Sequence, residues 1–496
     1  MSEQLEKPTA EKVADAERAA LSLAKCSDRM RSAALHEIAD AIAANHDEIL
    51  AANERDVAEA EELLEAGEYT QALVDRLKLS ESKLESIEEM VRSVAGQDDP
   101  LGDTQTARAL DDGLELYRVS VPIGVVGTIF ESRPDALVQI AALCLRSGNA
   151  VILKGGSEAS HSNRVLYELI EDATAGFAVD GDEETGDEDA GAHAAEEDAG
   201  DDDAADDDTA EDDAGDRHEA DDELPDGWAQ LIEARADVDT VLEMDDAIDL
   251  VMPRGSSEFV EYIQQNTHIP VLGHTEGVCH VYVDDAADLS MASDIAFDAK
   301  VQYPAVCNAV ETVLVHEAVA DEFLPEIAER YREADVEIRG DEQTRAIVDV
   351  AAASEEDWDT EYGDLIVAIR VVDSIDDAVD HVATYGSKHT DSIVTEDTGH
   401  ARFFMRSLDS ASVFHNASTR FADGFRYGLG AEVGISTGKI HARGPVGLEG
   451  LTTYQYYLEG DGQIVGTYAG ADAKPFRHED FDGEWRPGQL SSDRSG

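Results

Sequence analysis

Positive charge is what this 496-residue chain has least of: 37 lysines and arginines stand against 111 acidic residues, a net charge of −74. Such a surface repels phosphate backbones and anionic lipid head groups, which excludes nucleic acid and membrane surfaces as partners. The deficit is global. Residues 178–223 hold 24 acidic residues and one basic residue, Arg217, so the other 450 residues still carry −51. A surface of this kind stays hydrated where salt screens its self-repulsion, and we read a cytoplasmic protein of an extreme halophile. A rival reading, a non-catalytic scaffold whose acidic stretch recruits basic partners, fits a local block better than a spread charge.

Cysteine is scarce as well: Cys26, Cys144, Cys279 and Cys307, none in CxxC or CxxH spacing. That removes the common zinc motifs, and no metal is expected. Scattered thiols without a signal peptide fit a reducing cytosol. Apolar runs fall well short of the roughly 20 residues of a membrane span. Yet 42% of the chain is hydrophobic, enough for two or three domains with a large core.

One cysteine has a telling neighbourhood. Cys307 sits in YPAVCNAVETVLV (303–315), between Pro304 and Asn308, just before a β-branched run at 310–315 that reads as a buried strand. A thiol held where a loop meets a rigid element suits a nucleophile; the competing reading is an inert buried cysteine.

The rest of the chain frames that loop. Residues 10–97 carry Ala, Leu and Ile at helical spacing, with N-cap signals at Ser27 and Ser80. Residues 104–121 switch to an extended pattern after a turn at Asp111–Asp112–Gly113. In 121–170, strand 123–130, helix 134–147, strand 150–154 and a further helix follow one another. Fully apolar strands alternating with helices mean a parallel sheet covered on both faces, with ligands at the C-terminal strand ends. Residues 176–226 are Asp, Glu, Ala and Gly, and read as a disordered loop insertion. DLVMPRG (249–255) ends in Gly-Ser before a helix. PVLGHTEGVCHVYVD supplies two short strands around Gly277, and strand–helix repeats continue to about 425, a second α/β domain. Strand 451–460 is positioned to pair with the 114–121 hairpin, from this subunit or another. Beyond 470 the tail reads as polar and flexible.

Six segments together resemble the γ-glutamyl phosphate reductase family: YPAVCNAVET, VPIGVVGTIFESRP, AVILKGGSE, GVCHVYVD, NASTRFADG and GLGAEVGISTGKIHARGPVGLEGLTTY. These are the glutamate-5-semialdehyde dehydrogenases of proline biosynthesis, within the aldehyde dehydrogenase superfamily. The resemblance runs from about 10 to 465, apart from the insertion. It implies an α/β, aldehyde dehydrogenase-like architecture. A helical lead-in (1–103) and an NADP-binding domain (120–270) precede a catalytic domain (271–425). Residues 426–444 return to the cofactor domain, and a two-part β-flap (104–119 with 445–468) builds a homo-oligomer, dimer or tetramer. It also implies NADPH, the substrate glutamyl 5-phosphate, and an upstream partner, glutamate 5-kinase. The same-fold rival is a coenzyme A-linked acylating dehydrogenase.

Roles follow for single residues. Cys307 attacks the acyl phosphate and forms a thioester. Arg133, at the position where related dehydrogenases carry an oxyanion Asn, assists the oxyanion or holds a phosphate, or else is a surface salt-bridge arginine. Lys154 suits an adenosine 2′-phosphate, Gly155 and Gly156 allow close backbone approach, and Glu158 accepts from ribose hydroxyls. Ser256 meets the pyrophosphate at a helix N-terminus. Glu361 aligns with a nicotinamide-ribose glutamate, or is a solvated loop acid. Asn416, Ser418, Thr419 and above all Arg420 are candidates for gripping the substrate's carboxylate and amine. Gly273 falls where hydrolytic relatives carry a water-activating glutamate, a gap suited to an enzyme in which phosphate replaces water. Cys279 and His280, neighbours on a strand, point to opposite faces and are read as structural.

Overall fold

The computed structural model describes residues 5, 7–179, 223–234, 237–273 and 276–486. Five helices lead: Thr9–Leu23, Asp28–Ala44, His46–Glu65, Gln71–Leu77 and Glu81–Ala95. The Ser27 and Ser80 hydroxyls accept from Met30 N–H and Lys83 N–H, capping the second and fifth. Their apolar faces pack against helix Pro134–Arg146 and the first sheet in one core.

That sheet has four parallel strands in the spatial order Ala229–Leu231, Ala150–Gly155, Val125–Phe130 and Leu250–Arg254. Every residue of Val125–Phe130 and Ala150–Gly155 is buried, as unbroken apolar strands between two helical layers must be. Residues 431–451 return to it, placing Ala431, Val433, Val446 and Leu448 in the same core. The second sheet has seven parallel strands, with Val310–His316 and Cys279–Val283 near its centre.

Two expectations are corrected and one open alternative is decided. Among the described residues only one strand, Cys279–Val283, forms near Gly277; upstream, among those residues, there is a single bridge, Val271 to Val251 in the first sheet. Val271 belongs to the first sheet and Cys279 to the second, so the described residues on the two sides have different strand partners. Strand Thr452–Gly460 pairs antiparallel with Leu114–Pro122 of the same chain. The tail is ordered as far as described: Glu479–Phe481 pairs with Thr104–Asp111. Trp485 stacks on Tyr457 with ring centroids 4.1 Å apart. An aromatic anchor and an open strand edge outweigh the polar composition that reads as flexible.

The acidic insertion lies mostly outside the described residues. Its edges are built in: Leu224 N–H donates to Phe177 O at 2.8 Å, and Leu224 is buried in the first core. Among the described residues no helix is long and apolar enough to cross a membrane.

Candidate active site

Cys307 lies in the loop between helix Leu289–Val301 and strand Val310–His316. Of the four cysteines it alone is not buried. Burial pushes the Cys144 and Cys279 thiols up in pKa, away from the thiolate needed for attack. The backbone of the loop is held from three sides. Asn308 Nδ2 donates to Ala422 O at 2.7 Å, tying the loop to the 3-10 turn Thr419–Phe421. Cys279 Sγ donates to Cys307 O at 3.2 Å. Gly277 packs so closely that a Cβ there would lie 2.1 Å from Cys307 O; only glycine fits. His280 points the other way, its Nδ1 2.9 Å from Asp391 Oδ1, as strand alternation requires.

Glu361 meets this loop. Its Oε2 accepts from Gly277 N–H at 2.9 Å. Two residues on, Gly363 N–H faces Glu311 Oε1 at 3.4 Å, and Glu311 Oε2 accepts from Lys300 Nζ at 2.6 Å. Lys300 and Glu311 are both 0% exposed. Burial drives each toward neutrality, pushing Glu311 up to about 7 and Lys300 down.

The substrate candidates divide. Arg420 is 7% exposed and its Nε donates to Gln302 Oε1 at 3.0 Å, beside the Cys307 loop. Thr419 Oγ1 is buried without a hydrogen-bond partner among the described residues. Ser418 Oγ accepts from Arg420 N–H at 3.3 Å, so it shapes the turn. Asn416, at φ 56°, uses its amide on the backbone of Thr395, accepting from N–H at 2.9 Å and donating to O at 3.0 Å.

The cofactor candidates gather at the C-terminal ends of the first sheet. Lys154 is buried in register with Ile129, its ammonium donating to Gly155 O. The missing Cβ of Gly155 and that of Gly156 are replaced by this chain's own groups: Asn163 Nδ2 lies 2.2 Å from the first position, and the Glu158 carboxylate 2.1 Å from the second. These glycines therefore make room for internal packing. Glu158 Oε1 accepts from Ser132 N–H at 2.6 Å and Ser132 Oγ at 2.9 Å, and Ser132 has φ 51°. Ser256 precedes helix Ser257–Gln265, and its N–H donates to Glu131 Oε2 at 3.0 Å. Both strand-end N–H groups thus already face a carboxylate of this chain. Arg133 stands at the N-cap of helix Pro134–Arg146.

A Glu158→Gln exchange is expected to lower kcat several-fold while the KM for cofactor moves less, because the carboxylate holds the strained Ser132–Arg133 turn. Steady-state kinetics check this; the opposite split returns Glu158 to the ribose.

The aldehyde dehydrogenase sequence model matches residues 2–179 and 218–357. The chain belongs to the aldehyde dehydrogenase family. Within the family it is 68% identical over 481 residues to the gamma-glutamyl phosphate reductase of Natronomonas pharaonis, covering 97% of this chain and 99% of that one. It is 63% identical to that of Haloquadratum walsbyi, covering 96% of each. The crystal structure of the Thermotoga maritima gamma-glutamyl phosphate reductase superposes with a TM-score of 0.79 at 37% identity, over 92% of this chain and 99% of that one. Betaine aldehyde dehydrogenase of Staphylococcus aureus, in complex with NAD+, shares the fold at 16% identity, with a TM-score of 0.59 over 93% and 89%. Like other aldehyde dehydrogenases, the protein is an oxidoreductase that uses a nicotinamide cofactor and a small-molecule substrate.

Sequence reasoning missed Arg254, Glu432 and the Lys300–Glu311 pair. Arg254 closes strand Leu250–Arg254, and Glu432 Oε2 accepts from Gly424 N–H at 2.8 Å. The single signal was a cation ending an apolar strand, in MPRGS.

Proposed function

We infer that the chain reduces L-glutamyl 5-phosphate to L-glutamate 5-semialdehyde and phosphate with NADPH, the reductive second step from glutamate to proline. The observation that carries the chemistry is the one accessible thiol among four, on a loop fixed by Gly277, Cys279 and Asn308. In this reading the Cys307 sulfur attacks the acyl carbon, the carbon–oxygen bond to phosphate breaks, and phosphate leaves with the electron pair. Bound NADPH supplies the hydride that reduces the thioester carbonyl. The Cys307 backbone N–H and Arg133 face the oxyanion, and collapse breaks the carbon–sulfur bond and frees the thiolate. Lys154 and the Ser256 N–H hold the cofactor's phosphates, Glu361 orients the nicotinamide end, and Arg420 grips the carboxylate as a bidentate fork.

The same proposal covers the surroundings. The outer strand Thr452–Gly460 exposes Tyr454, Tyr456 and Leu458, an apolar edge suited to a homo-oligomer contact. A labile acyl phosphate calls for a kinase that makes it, glutamate 5-kinase. The acidic surface suits a salt-rich cytoplasm.

Purified protein is expected to reduce NADP+ with glutamate-5-semialdehyde only when inorganic phosphate is present, at molar salt. Turnover supported by coenzyme A and not by phosphate would reject the reading.

A further inference from the structure

The deeply buried Arg31 and Arg146, and the half-buried Arg339, each have a carboxylate. Arg31 pairs with Asp99, Arg146 with Asp28, and Arg339 with Asp357. Among the described residues Arg133, Arg254 and Arg420 have no carboxylate within 4.0 Å, in a chain with three acids for each base; Arg118 and Arg370 share that lack, but each lies over an aromatic ring, Tyr454 and Trp358. Arg420 is buried and Arg133 and Arg254 are half-buried; cations held partly out of water with no carboxylate in reach favour an anion beside them.

Two of the three share one sheet edge. Arg254 lies in register with Phe130, and Glu131 N–H donates to Arg254 O at 2.9 Å. Arg133 follows three residues after Phe130. Arg254 reaches back toward the helix that Arg133 caps, its Nη1 3.5 Å from Gln139 Oε1, while its stem lies against Gly434, where a Cβ would sit 3.9 Å from Arg254 Cγ. Covalent geometry limits how far this edge is from the thiol. A Cβ on Gly273 would lie 3.3 Å from Pro253 Cγ, and one on Gly277 would lie 2.5 Å from Cys307 Cβ. The four peptide steps joining those glycines span at most about 14 Å. The electrostatics agree: burial lowers the Arg254 pKa most and Arg133 lowers it further, while Glu432, Asp135 and Cys307 raise it.

We propose that Arg254 and Arg133 form a phosphate subsite beside Cys307, taking the phosphoryl group of the acyl phosphate and holding the inorganic phosphate that leaves. The assignment rests on the thioester reading above. When the sulfur attacks, the acyl carbon–oxygen bond breaks and its electron pair stays on the departing phosphate. Two guanidinium forks stabilise that growing charge, and Arg420 is left for the carboxylate. In reverse, the same forks present phosphate to the thioester carbon.

The test runs in reverse, with glutamate-5-semialdehyde, NADP+ and inorganic phosphate as the probe. Arg254→Gln and Arg133→Gln are each expected to raise the KM for phosphate about 10-fold or more, the usual effect of losing a charge-assisted contact. The KM for aldehyde and for NADP+ should stay within about twofold. Thioester formation precedes phosphorolysis, so Arg254→Gln should still give a single-turnover burst of NADPH without phosphate, which also reports that it folds; Arg133→Gln, at a residue that also faces the oxyanion, should give a slower burst. Arg254→Lys, keeping the charge and losing the fork, should fall between. An unchanged phosphate KM, or an increase confined to NADP+, overturns the subsite. Wild-type turnover indifferent to phosphate would instead overturn the thioester-to-phosphate reading beneath it.

Discussion

Cys307→Ala is expected to lower turnover on the order of 10⁴-fold or more, the scale of losing a covalent nucleophile. The site has no stand-in. Cys279 is near, donating to the Cys307 carbonyl, but its thiol is buried and its pKa is raised by desolvation. Cofactor binding should survive, because the strand ends carrying Lys154 and Ser256 belong to the other sheet. Quenching of protein fluorescence on titrating NADPH, beside stopped-flow absorbance at saturating substrate, separates the two properties. Cys279→Ser serves as the control: it keeps a donor toward Cys307 O and should retain turnover within about tenfold. Turnover persisting in Cys307→Ala, or lost equally in both variants, would remove the thiol from its assigned role.

Lys300→Met is expected to cost about 3–5 kcal/mol of stability, the penalty of leaving a buried charge without its partner. The remaining carboxylate of Glu311 would keep one N–H contact, from Gly363 at 3.4 Å. The deficit should depend on pH with a definite sign. Burial raises the Glu311 pKa to about 7 from an ordinary 4.5, so the folded state holds this proton more tightly than the unfolded one. Its contribution therefore falls as pH rises from about 4.5 through 7. Removing Lys300 takes away the charge that lowers this pKa, so the two proteins should fall together up to about pH 7, above which the variant should lose ground to wild type. Urea unfolding at constant molar salt measures it. A deficit that shrinks with rising pH would show that Glu311 is not the group left exposed to the penalty. Lys300→Met combined with Glu311→Leu should recover most of the loss, since removing both charges leaves none uncompensated. Activity should fall in the single variant too, because Glu311 steadies the turn carrying Glu361.

Much of the fold was legible because it is local. The apolar runs at Val125–Phe130 and Ala150–Gly155 can only be interior strands, and Ser27 and Ser80 announce helix starts by hydroxyl chemistry alone. The loop around Cys307 was legible for the same reason, a turn-forming Pro304 ahead of a β-branched run. Arg254 was not, since its meaning depends on the register that sets it beside Phe130. Lys300 and Glu311 are eleven residues apart, on a helix end and a strand start, and nothing in either segment predicts that they meet. Asn416 and Ser418 looked like substrate ligands because polar residues in glycine-rich loops often are. Here the loop must first satisfy its own backbone, and both side chains do that.

By itself the amino-acid order made three things legible: a candidate thiol on a loop ahead of a strand, parallel-sheet architecture, and a strongly acidic surface. Periodicity and residue type act over a few positions, so they survive in one dimension. Which arginines go without a carboxylate, which glycines are filled by neighbours, and where the last strand docks were decided by the folded chain alone, because each is a contact between segments tens to hundreds of residues apart.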